Sequence, residues 1–300
     1  MRSLNVSKMK LRHKEAIFGY IAISPWFIGF LVFSFFPIVF SLVISFFNWE
    51  VITPPVWNNF GNFSRLVNDE NVPIAILNTF FYTLIAVPLQ LAAALFVAIL
   101  LNRNITGRTI YRGLVYFPSQ MPLVAASMLW FFIFSTTFGL ANQILLKLGL
   151  PMQKWLWDPQ MVKPSLVIMS LWGIGNTIII FLAGLQGIPV SMYEAADIDG
   201  ANPLWKFLKV TIPMLSPTIF FVFIIGFIGS FQIFTNVYLM TSGGPGRSSL
   251  MIVLLIYRNG FENFRMGYAS LLAWMLFIIV LLITSIQFLV GKRWVFYEGQ

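Results

Sequence analysis

Few side chains in this 300-residue chain are equipped for chemistry, and their positions narrow the choice further. The one histidine, His13, sits in a basic N-terminal segment without a second imidazole, so it reads as a solvated tail residue rather than a ligand or a base. Cysteine is absent, which removes disulfides, thiolate metal sites and Cys nucleophiles together. The ten acids all fall in loops or terminal segments, leaving few candidates for general acid–base catalysis, and no catalytic or metal site is expected. Gly243-Gly244-Pro245-Gly246-Arg247 has the look of a phosphate cradle but lacks the Lys-Ser/Thr ending and a preceding strand, so a plain turn is expected. What remains is neutral hydrogen bonding. Ser119 and Gln120, Asn176 and Thr177, Ser230, Gln232, Thr235 and Asn236 stand inside apolar runs. Amides, hydroxyls and aromatic faces suit a neutral, hydroxyl-rich ligand. Any one of these groups could equally tie two helices together, at about 0.6 kcal/mol per contact. Their clustering in the later runs favours a lined cavity.

The elements that must hold these groups follow from the distribution of charge. The chain is 58% hydrophobic and 10% charged, against about a quarter charged in soluble domains. Six charge-free stretches stand out: 16–49, 71–102, 113–146, 164–193, 210–246 and 266–291. About 20 apolar residues rising 1.5 Å each cross the hydrocarbon core, so each stretch is expected to hold one span, near 18–47, 77–101, 114–137, 165–187, 215–240 and 268–290. The fold class is therefore all-α, a polytopic membrane protein with six transmembrane helices. No Asp, Glu, Lys, Arg or His falls in these expected spans, which argues against proton coupling or an intramembrane protease. Pro25, Pro37, Pro88, Pro118 and Pro122 mark expected kinks or breaks.

Direction follows from Lys and Arg. With the N-terminus inside, twelve basic residues lie on the cytoplasmic side and seven outside, five of the twelve in the N-terminal tail. Both termini are thus expected in the cytoplasm, with tails at 1–15 and 292–300 around a membrane domain at 16–291. The net charge of +9 reflects this bias rather than nucleic acid binding. The tail resembles a signal-peptide n-region, but the apolar run behind it is too long, so an uncleaved anchor is expected. Trp49, Trp57, Trp155 and Trp157 in the exterior loops fit an interfacial belt.

The inside loop 188–213 is ordered by its own signals. Pro189 stops the fourth span, and Ser191 with Glu194 reads as a capping box for a short helix. Gly200 suits a left-handed helix end, and Asn202-Pro203 suits a restart with Asn as N-cap. Two short helices joined at a glycine would make either a docking knob for a soluble partner or an ordinary connector; local chemistry favours neither.

Glu194-Ala195-Ala196, then three residues, Gly200, nine residues and Val210-Thr211-Ile212-Pro213 resembles the EAA loop, EAA-x3-G-x9-I-x-L-P, of the permease subunits of binding-protein-dependent ABC importers. Val210 and Ile212 depart from it by aliphatic swaps. Asp199-Gly200-Ala201 with Trp205 and Phe207, and Tyr238 to Pro245 with Tyr257 and Phe261, resemble the maltose, glycerol-3-phosphate and lactose permease type. The resemblance spans nearly the whole chain. It implies the type I ABC importer permease fold in a bacterial or archaeal cytoplasmic membrane. The implied function is the ATP-driven import of a sugar or oligosaccharide by alternating access. The implied partners are a related permease forming a heterodimer, two ABC ATPase subunits, an extracytoplasmic solute-binding protein and membrane lipid. ATP and Mg would be bound by the ATPases, and this chain would need no cofactor. Glu194, Ala195, Ala196, Asp199 and Gly200 would form the coupling helix that seats in an ATPase cleft, its alanines allowing close approach. By position, Ser119, Trp172, Gly173, Asn176, Ser230, Phe231 and Gln232 would line the substrate path, with Trp172 or Phe231 stacking on a sugar ring. The competing reading is a stand-alone facilitator or secondary carrier for a neutral solute.

Overall fold

The computed structural model describes residues 4–104 and 106–296. Arg2, counted above for topology, and residues 297–300 of the expected C-terminal tail lie outside the described residues. In chain order the helices are α1 (Leu4–Phe30), α2 (Phe36–Ile44), α3 (Gly61–Asn68), α4 (Asn71–Asn102), α5 (Arg108–Tyr116), α6 (Leu123–Ile133), α7 (Leu140–Lys147), α8 (Val162–Trp172), α9 (Gly175–Gln186), α10 (Val190–Ile198), α11 (Pro203–Lys206), α12 (Ile212–Phe231), α13 (Thr235–Met240), α14 (Ile252–Tyr257) and α15 (Met266–Gly291). Short strands β1 (Phe47–Asn48) and β2 (Val56–Trp57) pair antiparallel, with Phe47 opposite Trp57.

Four stretches are long and apolar enough to cross a membrane: Glu15–Ile44, Asn71–Asn102, Pro203–Phe231 and Met266–Gly291. Two more arise if each bent pair is one span. Arg108–Gln120 meets Leu123–Ile133 at 96°, and Val162–Trp172 meets Gly175–Gln186 at 52°. The molecule therefore has four to six apolar spans. The third charge-free stretch is broken where its prolines were expected to interrupt it: Pro118 and Pro122 flank the break, where a missing N–H and a fixed φ end the first segment. Pro25 and Pro88, by contrast, ride inside unbroken helices.

The fifth span departs most from expectation. It starts at Pro203 and ends at Phe231, not at 215 and 240. The presumed second short helix of the 188–213 loop is its first turn. Pro213 does not interrupt it, because the turn before is wide: Ile212 N–H reaches back five residues to Phe207 O, so the ladder is already relaxed where the ring enters. Helices also run past the charge-free stretches, so Arg108, Arg112, Lys163, Lys206 and Lys209 lie within helices.

The chain divides into two compact units. The first comprises residues 1–67 and 259–274. Its hinge point is Asn62, whose side-chain amide donates to Ser45 O and Phe47 O, both at 2.9 Å. Phe46, Trp57, Phe60 and Phe63 stack around the hairpin. Much of the Glu15–Ile44 surface is apolar and exposed, Trp26 at 70% and Phe33 at 81%.

The second unit, residues 68–258 and 275–300, carries the main core. Along α4, Val72, Ala75, Thr79, Tyr82 and Ala86 are buried at alternating spacings of three and four, and Ala94, Ala98 and Leu101 continue further along the helix. The alanines are wholly buried, and such small residues let neighbouring helices approach closely. Ile178, Phe181, Leu182 and Leu185 of α9 and Leu215 and Val222 of α12 complete the cluster. Lys163 Nζ donates to Asn78 Oδ1 at 3.0 Å, which ties α8 to α4. Asn78 Nδ2 donates in turn to Arg247 O and Leu250 O, pinning the Gly243–Arg247 segment, which is a turn. Trp155 Nε1 donates to Asn142 Oδ1 at 2.8 Å within the second unit.

Candidate functional site

Three features bear on function, beginning with the elbow after α9. α10 starts at Val190, with Pro189 as N-cap and no side-chain cap bond. The expected Ser191–Glu194 capping box does not form. Pro189 begins the helix two residues early, so Ser191 already lies within the first turn, where its hydroxyl cannot cap. The other end is as expected. Gly200 adopts φ +72°, a conformation that strains residues with a Cβ. Ala201 N–H donates to Ala196 O at 2.9 Å and Gly200 N–H to Asp197 O at 3.0 Å, the bond pair that closes a helix on a left-handed residue. Asn202 Oδ1 then accepts from Trp205 N–H at 2.8 Å, capping the helix that begins at Pro203.

Side chains brace the elbow from within. Tyr193 packs on the main core, its hydroxyl 3.0 Å from Thr211 Oγ1. Lys206 pairs with Asp197. Ala196 is buried at 4% exposure, whereas Glu194, Ala195, Asp199 and Gly200 are exposed. The two alanines of the motif therefore do different work. Only Ala195 is on the free face, and Ala196 is the contact through which α10 seats on its own chain. Val190, Met192 and Ile198 are also exposed, Ile198 at 88%, so the free face is apolar with a carboxylate in it.

The second feature is a cavity of 340 Å³ with a mixed polar and apolar lining, at the lower end of the range for ligand pockets. It opens where the fifth span ends, at the irregular turn Gln232–Phe234 between α12 and α13. Ser230 and Gln232 line it, with Thr235 and Asn236. Asn236 Oδ1 accepts from the Ser127 hydroxyl at 3.3 Å. Tyr82 and Gln90 of α4 complete the polar wall and were missed from the sequence. Gln90 was visible as an amide within an apolar run, and Tyr82 offered no signal beyond its hydroxyl. None of the lining residues is charged.

The remaining path candidates lie elsewhere. Ser119 Oγ donates to Gly173 O at 3.0 Å, so the broken part of the third stretch is bonded to the broken part of the fourth. The approach is tight: a Cβ on Gly175 would stand 2.5 Å from Ser119 Oγ and 2.9 Å from Val115 O. Trp172 packs edge-on against Trp130, ring centroids 6.1 Å apart, and Asn176 is exposed. Phe231 is 2% exposed, stacked on Phe227 and edged by Phe80, so it offers no ring face to the cavity in this conformation. Its neighbours on both sides face the cavity, and helical spacing turns Phe231 into the core instead.

The model of the family described as "Binding-protein-dependent transport system inner membrane component" matches residues 90–295. The "Probable ABC transporter permease protein YesP" of Bacillus subtilis is 40% identical over 98% of this chain and 97% of its own length. The "Arabinooligosaccharides transport system permease protein AraP" of Halalkalibacterium halodurans is 33% identical over 92% of this chain and 88% of its own length. Among solved structures, a chain of a bacterial ABC transporter involved in the import of the acidic polysaccharide alginate superposes with a TM-score of 0.83 at 23% identity, covering 95% of this chain and 99% of that one. That likeness establishes a shared fold, the one the EAA resemblance implied. The matched segment contains α10, Gly200 and the cavity-lining residues from Gln90 to Asn236 other than Tyr82, and the chain belongs to the family of inner membrane components of binding-protein-dependent transport systems.

Proposed function

We propose that the chain forms half of the translocation path of an ATP-driven importer for a sugar or oligosaccharide. A related permease supplies the other half, two ABC ATPase subunits seat on α10 from the cytoplasm, and an extracytoplasmic binding protein delivers cargo. ATP and Mg sit in the ATPases, and no step of hydrolysis falls to this chain. The observation that carries the reading is the braced elbow. α10 is bound to the start of the fifth span by Tyr193–Thr211 and Lys206–Asp197, and that span ends at Phe231, flanked by the cavity residues Ser230 and Gln232. Its 29 residues make a lever about 43 Å long at 1.5 Å per residue. Movement of α10 as the ATPases close is thereby delivered to the cavity wall. Cargo moves one way provided the two states bind it differently. The uncharged lining and the named cargo of the AraP relative both favour a neutral, hydroxyl-rich solute.

The test uses the assembled transporter in vesicles. Glu194→Lys and Gly200→Asp are expected to leave the chain inserted while abolishing ATP hydrolysis stimulated by the loaded binding protein. Unchanged stimulation in both variants, or uptake by this chain without its ATPases, would overturn the proposal.

A further inference from the structure

α5 is two-faced. Ile110, Tyr111 and Leu114 are exposed at 69%, 50% and 63%, while Arg112, Val115 and Tyr116 share the opposite face at i, i+3 and i+4. Arg112 is thus carried inward. Its Nε and Nη2 are buried and have no hydrogen-bond partner among the described residues. Arg112 borders a cavity of 190 Å³ whose other walls are Leu101 of α4 and Gly175, Ile178, Ile179 and Leu182 of α9. Among the described residues no carboxylate lines it. A guanidinium cannot shed its proton, and its buried N–H groups need acceptors. The requirement is therefore for an anionic oxygen joined to an apolar body.

The geometry points to a binding site for the phosphodiester of an anionic phospholipid on Arg112, with the first part of an acyl chain against Ile178, Ile179 and Leu182. The planar fork of Arg matches phosphate oxygens in pairs. Ile179 is 44% exposed, so the apolar wall leads outward and a chain can leave past it. Arg103 and Arg108 stand within ten residues of Arg112, which places the site where a charged helix end meets the membrane surface. A lipid bound here would clamp the ends of α4 and α5 to α9, beside the bonded breaks at Ser119 and Gly173.

The test takes the assembled transporter, stripped of native lipid and returned to phosphatidylcholine nanodiscs containing phosphatidylglycerol. Native mass spectrometry then counts the phosphatidylglycerol retained per complex. The wild type is expected to retain it in preference to phosphatidylcholine. Arg112→Gln is expected to bind it roughly fivefold more weakly, one basic residue's share, with partial rescue in Arg112→Lys. Ile179→Trp, which fills the acyl wall and keeps the guanidinium, is expected to lose it as well. Equal retention in wild type and Arg112→Gln overturns the inference, as does displacement of the lipid by inorganic phosphate, which would make a free anion the ligand. Loss of the related permease from Arg112→Gln, with lipid retention unchanged, assigns Arg112 to a protein carboxylate and overturns it too. Should Arg112→Gln fail to assemble, Ile179→Trp decides alone, and wild-type retention there refutes the site.

Discussion

Ala195 and Ala196 are adjacent in the sequence and point opposite ways. α10 turns about 100° per residue, so one alanine meets solvent and the other the core, where 4% of its surface remains exposed. Lengthening each side chain separates the two roles. Ala196→Leu must overpack the seat of α10, at about 1–3 kcal/mol, and should lower the thermal unfolding midpoint of the purified subunit. Ala195→Leu should leave that midpoint in place and weaken co-purification with the ATPase. An unchanged midpoint in Ala196→Leu would show that the seat is not packed as described. Phe231 carries the same lesson at the cavity. It stood beside Ser230 and Gln232 in the sequence as a path candidate, yet the helix turns its ring against Phe227 and Phe80.

Among the elements, the broken helices are the most informative. Gly173 O lies at the end of α8, where a helix has no partner for its last carbonyls, and Ser119 Oγ takes up that bond from the break of the neighbouring segment. Two interruptions thus satisfy each other, as irregular backbone within a membrane protein must. Gly175 permits the approach. Gly175→Val is expected to destabilise the chain by about 2 kcal/mol, through contact with Val115 O as well as Ser119 Oγ. Adding Ser119→Ala should recover only part of this, since the backbone carbonyl stays in place. Thermal unfolding in detergent measures both, and full recovery in the double variant would contradict the backbone contact.

For the whole molecule, the decisive quantity is which side of the membrane holds the elbow. The chain has no cysteine, so a single introduced thiol reports without background. Ile198 is 88% exposed at the end of α10. Ile198→Cys should react with a membrane-impermeant maleimide only from the cytoplasmic face of oriented vesicles, and assembly with the ATPase should protect it. Labelling from the exterior would reverse the topology and remove the coupling role from α10.

The apolar, polytopic character and the approximate position of most spans were legible in the chain because insertion depends on local composition: a charge at the centre of a span costs about 2.5–3.5 kcal/mol, so charges mark the apolar stretches whatever the packing. The elbow was legible for a related reason. Gly200, Asn202 and Pro203 act on backbone within a few residues of themselves. The break between Pro118 and Pro122 was marked by its prolines, but the start and end of the fifth span, the bend at Gly173, the inward turn of Ala196 and Phe231 and the union of Tyr82 and Gln90 with Asn236 were not legible. Each depends on which helices meet and at what angle, and those choices rest on contacts between residues far apart in the chain, such as Ser119 with Gly173, to which composition and spacing are blind.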